Sequence, residues 1–150
     1  MKKLVPQEKQ ERIAMVYAVI DTNIFVSSFI TKNVNASTRR VIMSMFDGRI
    51  RPLYNDEILE EYSDVLHRSK FHLKEKDIKM LLNFIKEHGI DSSCVPFDGE
   101  MPDEDDRVFY EVTLSKEDSF LVTGNLKHFP RTPQIVTAAQ MMEILDGNPY

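Results

Sequence analysis

The sequence predicts an α/β fold with helices on both faces of a central, mainly parallel sheet, a three-layer α/β/α arrangement. Short apolar segments rich in β-branched residues alternate with longer segments of helical periodicity along the 150 residues, a pattern typical of strands joined by crossover helices. The clearest strand segments are short apolar runs, as expected where helices cover both faces of a sheet. No internal repeat, low-complexity tract or linker divides the chain, so one domain is expected.

The first third of the chain contains two predicted strands and two predicted helices. Val and Ile in Tyr17–Ile20 indicate a buried strand, and a short helix is expected over Asn23–Phe29. A second helix is predicted over Ala36–Phe46, with Ser37 or Thr38 as its cap and an Asp-Gly pair at its end. The segment RIRPLY follows as a short strand, and its proline indicates an edge strand or a strand start.

Two longer helices are predicted in the middle of the chain. One begins at Asn55 or Asp56, because a capping side chain is followed there by acidic residues in the first turn. The other occupies KEKDIKMLLNFIKEHGI, where apolar residues recur on one side and Gly89 supplies the stop.

The last third is predicted to return to the sheet. SSCVPF is a weak strand candidate, and an acidic, turn-rich loop then leads into a helix over Asp106–Ser115. SFLVT is a second buried strand and PQIVT a third short one. Thr137 then caps a last helix over Ala138–Leu145.

Composition and charge exclude several classes of protein. Apolar residues make up 42% and charged residues 29% of the chain, as in globular proteins, and no apolar run approaches the roughly 20 residues of a membrane span. The single cysteine, Cys94, excludes an internal disulfide and a thiolate zinc cluster. The net charge of −5 argues against extensive nonspecific binding of nucleic acid. We expect a cytoplasmic protein, with a charged N-terminal arm over residues 1–14 and one domain over residues 15–150.

Polar side chains follow two of the predicted strands. Asp21 comes directly after the first strand and Asn125 follows SFLVT. Open parallel sheets bind ligands beyond the carboxyl ends of their strands, so the two positions indicate a common site. Taken alone, Asp21 also fits the N-cap of the next helix, and that alternative stays open.

The helix that begins near residue 56 offers a third acid. At about 100° per residue, Glu60 and Asp64 point away from the apolar stripe of this helix, and Glu57 nearly so. Glu61 lies at the border of the stripe, where a carboxylate can reach into a cleft while the helix stays docked. Glu61 is therefore the candidate, with a solvated role still open, and the other three are expected to be solvated.

The segment PDEDD places four acids at a helix start. Asp103 and Asp106 resemble an N-cap and its N3 partner, but capping does not explain so many carboxylates, whose mutual repulsion a cation would relieve. Oxygen ligands without Cys or clustered His favour Mg²⁺ or Mn²⁺ over zinc. A water bound to such an ion can attack a phosphodiester.

Four segments resemble, in this order, the PIN-domain family: VIDTNIFVSSFI, DEILEEYSDVLHRSKF, PDEDDRVFYEV and FLVTGNLKHFP. Within the family they are most similar to the toxin components of toxin–antitoxin systems related to VapC. The resemblance extends from about Tyr17 to Leu145. It implies a PIN-like fold and a Mg²⁺- or Mn²⁺-dependent endoribonuclease that cleaves single-stranded RNA, with its acids at the carboxyl edge of the sheet.

The resemblance also implies roles for individual residues. Asp21, Glu61 and Asp106 match the catalytic, metal-binding acids, and Asn125 stands at a fourth metal position where the family often has aspartate. Because asparagine removes one negative charge, one firmly held ion and a second that arrives with RNA are expected. The auxiliary residues implied are Thr22, Asn23, Asp103 and Thr123.

Cationic side chains near these positions are candidates for phosphate contacts. The RNA-binding candidates are Lys127, His128, Arg68 and Lys70. Base stacking on Phe129 or Phe71 is a further expectation, with solvated loops and buried rings as the open alternative. The resemblance implies a cognate antitoxin protein that covers the groove, and also a homodimer; no membrane partner is expected.

Three other functions stay open. One alternative, suggested by Asn125, is a PIN domain that is catalytically weak or inactive and serves as an RNA-binding or protein-interaction module. A haloacid-dehalogenase-like phosphatase needs a second aspartate two positions after the first, where this chain has Asn23. The absence of a Gly-rich phosphate loop argues against a flavodoxin- or receiver-like module.

Overall fold

A computed structural model describes residues 15–147, and the predicted arm over residues 1–14 lies outside the described residues. The strands within this range are β1 (Val16–Ile20), β2 (Ile50–Tyr54), β3 (Ile90–Asp91), β4 (Ser119–Val122) and β5 (Ile135–Val136). The α-helices are α1 (Thr22–Ile30), α2 (Ser37–Phe46), α3 (Asp56–Leu66), α4 (Glu75–His88), α5 (Arg107–Thr113) and α6 (Ala138–Leu145). Short 3₁₀ turns occur at Ser69–Phe71, Glu104–Asp106 and Leu126–His128. None of the helices in residues 15–147 combines the length and the apolar character needed to span a bilayer.

The strands form one parallel sheet in the order β3-β2-β1-β4-β5. The chain first adds strands to one side of β1 and then to the other. The strand order therefore reverses between β1 and β4, which is the point where open α/β sheets bind ligands. The predicted α/β class with a mainly parallel sheet is confirmed, and every pairing in the described sheet is parallel.

The helices pack in two layers. Helix α2 packs against α6, whereas α3 packs against α4 and α5, and α1 contacts both α2 and α3. Ala18, Val19 and Ile20 in β1 and Leu121 and Val122 in β4 are completely buried, because the central strands are covered on both faces. The predicted three-layer α/β/α architecture is confirmed.

Three buried aromatic rings join the helices at the carboxyl end of β1. Phe25 of α1 and Tyr62 of α3 pack edge to face with ring centroids 4.9 Å apart, and Phe109 of α5 lies 6.2 Å from Tyr62. The Tyr62 hydroxyl donates a hydrogen bond of 2.6 Å to the carbonyl oxygen of Ile20. This aromatic cluster (Phe25, Tyr62 and Phe109) therefore fixes three helices relative to the last residue of β1.

Local capping explains where two of the helices begin. Asn55 caps α3, because its Oδ1 accepts a hydrogen bond of 2.8 Å from the amide of Ile58. Thr137 caps α6 in a capping box, as predicted. Helix α2 begins at Ser37 itself without a side-chain cap, so the prediction that Ser37 or Thr38 caps it is wrong.

The prediction of a strand in SSCVPF is wrong. The third strand is the shorter Ile90–Asp91, which follows α4 directly. In the segment after it, the Val95 amide donates to the carbonyl oxygen of Glu111 (3.0 Å) and the Phe97 amide donates to the Glu111 carboxylate (2.9 Å). These amides therefore bond to α5 instead of to a neighbouring strand.

Pro52 lies in the middle of β2, an interior strand, so the prediction of an edge strand or a strand start is wrong. The short β3 pairs with β2 only from Leu53 onwards. The Pro52 carbonyl points toward Gly89, where an added Cβ would lie 2.6 Å from its oxygen. The nitrogen and the carbonyl of one strand residue point to the same side, so the missing N–H does not interrupt the pairing with β1.

We predict that Gly89→Ala lowers the free energy of unfolding by about 1–3 kcal/mol, the range for overpacked sites. The new methyl group would lie 2.6 Å from two backbone oxygens, those of Ile85 and Pro52, which are not free to move. Gly124→Ala is the matched control, since a Cβ there meets nothing within 4 Å. Urea denaturation measures both, and equal stabilities for the two variants would contradict the packing argument.

Candidate active site

Asp21 and Thr123 lie side by side at the carboxyl ends of β1 and β4. The register pairs Ile20 with Val122, so the next residue of each strand is also adjacent. The Thr123 hydroxyl donates a hydrogen bond of 2.7 Å to the Asp21 carboxylate. Asp21 is only 5% exposed and Thr123 is completely buried. A carboxylate is therefore held in the interior at the switch point of the sheet.

Asp21 occupies the N-cap position of α1, but its side chain makes no capping hydrogen bond. The amides of Thr22 and Asn23 still lie close enough to the carboxylate to lower its pKa, so the alternative of a helix cap stays open. Burial raises the pKa of Asp21, and the hydrogen bond from Thr123 opposes this shift. Thr22 is buried beside it and Asn23 is exposed in the first turn of α1.

Hydrogen bonds and an ion pair within the chain partly neutralise the negative charge of the acidic loop. Asp103 caps the 3₁₀ turn, because its Oδ1 accepts a hydrogen bond of 3.0 Å from the amide of Asp105. Arg107 lies 2.7 Å from the carboxylate of Glu104 and lowers the pKa of that carboxyl group. The expectation of a cap at Asp103 is confirmed, although the bonded amide is that of Asp105 and not that of Asp106.

His128 bonds to the acid that begins α5. Its Nδ1 donates to Asp106 at 3.0 Å and lies 3.9 Å from Asp103. Within residues 15–147, Asp103, Asp106 and His128 form the one group of three His, Cys, Asp or Glu residues whose donor atoms all lie within 4.8 Å of one another. We call these three residues the Asp-His cluster.

Asn125 connects β4 to this cluster. Its backbone amide donates to Thr123 Oγ1 at 3.0 Å, and its side-chain Nδ2 donates to His128 Nε2 at 2.8 Å. In this arrangement the proton of the imidazole lies on Nδ1, facing Asp106. Asn125 thus orients His128, and its role as a fourth metal ligand stays a prediction.

The pKa of Asp106 is strongly raised. Burial raises the pKa of Asp106 to about 6, with further contributions from the charges of Asp21 and Asp103, while His128 opposes the shift. The side chain of Asp106 is 17% exposed. Asp21 and Asp106 therefore lie close enough for each charge to disfavour the other, and a cation between them would relieve that repulsion.

Glu61 approaches the same region from α3, next to Tyr62 of the aromatic cluster. Partial desolvation raises the pKa of Glu61, Arg68 lowers it, and the charges of Asp64, Asp105 and Asp21 raise it further. Asp21 thus interacts electrostatically with both Glu61 and Asp106. The catalytic and metal-binding roles assigned to these three acids stay predictions, because among the described residues their oxygens are not gathered into one group within 4.8 Å.

Glu61 lines a cleft of about 500 Å³ between α3 and the start of α5. Glu57, Glu60 and Asp64 line this cleft too and are exposed, as expected. Position on the helix therefore does not by itself separate Glu61 from its neighbours. Glu61 is itself exposed, and the charge of Asp21 contributes to the rise in its pKa.

The cationic candidates are spread around the site. Arg68 lines the cleft, and Lys127 is exposed on the loop after β4. Lys70 lies on the 3₁₀ turn after α3, with its ammonium 5.2 Å from the centroid of the Phe71 ring. Phe129 is 3% exposed, so its ring is buried, which is the alternative to base stacking that the sequence left open. Phe71 is half-buried and packs against the core.

A family model described as the PIN domain matches residues 17–127 of the chain. The chain belongs to the PIN-domain family. PIN domains are in general nucleases and typically use divalent metal ions, so this membership excludes the phosphatase and the flavodoxin-like alternatives. No curated protein matches the chain.

The side chains of this PIN domain fit a divalent cation. Asp21, Asp106 and Asp103 offer hard oxygen donors, and burial together with the charges of Asp21 and Asp103 raises the pKa of Asp106. The hydroxyl oxygen of Thr22, the residue after Asp21, is buried without a hydrogen-bond partner, which is rare for a native polar atom. His128, which sequence reasoning had placed with the RNA contacts, bonds to Asp106 through Nδ1 and to Asn125 through Nε2, so both of its ring nitrogens are engaged.

We predict that Asp106→Asn stabilises the metal-free PIN domain at neutral pH. A carboxyl group whose pKa is about 6 in the folded chain and 3.8 as a reference loses folding free energy as pH rises through that window, because the unfolded chain then binds fewer protons. The variant should exceed the native chain by about 1–3 kcal/mol at pH 7.5, and this excess should shrink by about 2 kcal/mol at pH 4.5.

Urea denaturation in EDTA at both pH values measures this difference. Asp118→Asn is the control, since the Asp118 side chain is 71% exposed. A stability difference that does not change with pH would show that Asp106 is not destabilised by its charge.

Proposed function

We propose that this PIN domain is a Mg²⁺- or Mn²⁺-dependent endoribonuclease that cleaves single-stranded RNA. The observation that carries the proposal is the buried Asp21 carboxylate near Asp106 at the switch point of the sheet, where burial raises the pKa of both groups and the charge of Asp21 raises that of Asp106 further. Like charges held together with little solvent are unfavourable for folding. Such groups are typical of sites where a substrate or a cation completes the charge balance.

In the proposed site each residue has a distinct task. Asp21 and Asp106 would hold the ion, with Glu61 at the edge of the cleft. Thr123 orients the Asp21 carboxylate through its 2.7 Å hydrogen bond, and His128 orients Asp106 through its 3.0 Å bond. When bound, the ion supplies charge neutralisation and a water of lowered pKa.

An unpaired RNA strand fits the charge of the molecule better than a duplex does. The cleft is rich in carboxylates and has Arg68 and Arg107 as its cations, and the chain carries a net charge of −5. Affinity for double-stranded nucleic acid needs many cationic contacts to phosphates. Arg68, in the cleft with Glu61, and Lys127, next to His128 in the chain, would contact the phosphates of one strand.

We further propose that the chain is the toxin of a toxin–antitoxin pair, acting in the cytoplasm and, as related toxins do, as a homodimer. The resemblance of its four motifs to VapC relatives supports this role. The acidic cleft that Glu61 lines complements a basic segment of an antitoxin protein. Cys94 is exposed and unpaired, as suits a reducing compartment.

The alternative function, a catalytically weak or inactive PIN domain that binds RNA or protein, is favoured by one observation. Asn125 stands at the fourth metal position, and its amide nitrogen is used by His128. The fourth carboxylate charge is thus missing, which weakens the hold on a second ion. The metal dependence of RNA cleavage separates the two functions.

We predict that the native chain cleaves single-stranded RNA with Mn²⁺ or Mg²⁺ and that EDTA stops the reaction. Asp21→Asn and Glu61→Gln should each lower the rate by at least about 100-fold, more than is typical of residues that only orient a ligand. Asp118→Asn and Glu87→Gln, at exposed positions, serve as matched controls. RNA binding without cleavage under any divalent metal would instead establish the non-catalytic module.

We predict that expression of the native chain arrests the growth of a bacterial host and that Asp21→Asn removes the arrest. The reason is that the toxic effect would depend on RNA cleavage, which the buried carboxylate supports. Colony counts after induction, with equal protein levels checked by blotting, measure this. Arrest by the native chain and the variant alike would contradict a nuclease toxin.

A further inference from the structure

We propose that a cavity beside the acids binds the base of the nucleotide next to the cleaved phosphate. The cavity lies in the loop between β4 and β5 and has a volume of about 680 Å³, within the size range of small-molecule sites. This inference rests on the proposed function, because it assigns part of the RNA substrate to a specific place. It gives the site a means to prefer one base over another.

The cavity adjoins the Asp-His cluster. Lys127 and Phe129 line the cavity, and His128, which bonds to Asp106, lies between them in the chain. Consecutive Cα atoms are about 3.8 Å apart, so the cavity begins one residue from the cluster. A strand whose phosphate lies at the acids can therefore place an adjacent base in the cavity.

The walls of the cavity are apolar on one side. Leu126, Pro130, Pro133 and Ile135 contribute to its surface. Leu126 is 42% exposed, so part of this apolar wall is open to a ligand. Flat apolar surfaces of this kind suit the faces of a nucleobase.

Two cations stand at the same cavity. Lys127 and Arg131 both line it and are exposed. Within residues 15–147 neither side chain forms an ion pair with a carboxylate. In an acidic chain, two uncompensated cations next to an apolar wall complement the phosphate of a nucleotide whose base is buried.

Thr132 supplies an independent observation. Its hydroxyl oxygen is buried and has no hydrogen-bond partner among the described residues, and the half-buried Thr132 lines the cavity, so a change of its χ1 rotamer would turn the hydroxyl toward a ligand there. A buried hydroxyl without a partner is destabilising, whereas the edge of a nucleobase offers both donors and acceptors. An apolar peptide would not satisfy this oxygen, so the observations favour a nucleotide.

The test is nucleotide binding to the full chain in EDTA, where no cleavage occurs. Proton–nitrogen correlation spectra are recorded with the four 5′-nucleoside monophosphates, with ribose 5-phosphate and with inorganic phosphate. At least one nucleotide should shift the amide signals of residues 126–135 and bind more tightly than ribose 5-phosphate. Thr132→Val should weaken that binding by about 3- to 10-fold, the factor expected for one hydrogen bond.

Arg131→Gln should weaken the binding of both the nucleotide and ribose 5-phosphate, whereas Lys76→Gln, an exposed position on α4, should change neither. Thr132→Val should keep or raise the stability of the chain, because it removes an unsatisfied hydroxyl. A purely structural role for Thr132 would leave nucleotide affinity unchanged. The combination of unimpaired folding and lost affinity is therefore specific to a binding role.

Three results would overturn the inference. These are equal affinity for nucleotides and ribose 5-phosphate, unchanged affinity in Thr132→Val, or signals of residues 126–135 that respond to protein concentration and not to nucleotides, as at a contact between copies of the chain. If RNA is cleaved but nucleotides leave these signals unchanged, the proposed base site is refuted and the proposed nuclease activity is not. If nucleotides bind as expected and no metal supports cleavage, the nuclease fails and the base site stands.

Discussion

The packing of the aromatic cluster determines where the acids lie. Phe25, Tyr62 and Phe109 come from three different helices and are at most 1% exposed. Each of them lies within four residues of an acid of the candidate site in the sequence. The acids are Asp21, Glu61 and Asp106. Burial of the three rings, with the Tyr62 hydroxyl on the Ile20 carbonyl, therefore brings acids from distant parts of the chain to one edge of the sheet.

The parts of the fold that sequence reasoning predicted are those in which local pattern and tertiary packing agree. Continuous apolar runs mark β1 and β4 because both faces of these strands are covered. SSCVPF failed as a strand because its amides found partners on α5 (Glu111), a contact between segments far apart in the sequence. Pro52 was placed wrongly because proline disfavours strands that pair on both sides, and the shortness of β3 is not visible in the sequence.

The sequence positions of the candidate site could be predicted, whereas the contacts between its side chains could not. Asp21 follows a buried strand, so its place at the sheet edge follows from topology. The bond between Asp106 and His128 joins residues 22 positions apart and depends on how the loop after β4 folds. The spacing of Asn125 and His128 on one 3₁₀ turn was the available signal, since side chains three residues apart lie on the same side of such a turn. This spacing does not by itself identify Asp106 as the residue to which His128 bonds.

The loop after β4 contributes residues to both proposed sites, and strand pairing fixes both of its ends. Val122 of β4 pairs with Val136 of β5, and the Thr123 amide donates to the Val136 carbonyl at 2.9 Å. A loop held at both ends loses little further conformational freedom when a ligand binds. The same closure holds Thr123 against Asp21 and presents the cavity around Thr132 beside the acids. The proposed chemistry and the proposed base contacts would thus share one segment that is held at both ends, which favours precise placement of reacting groups.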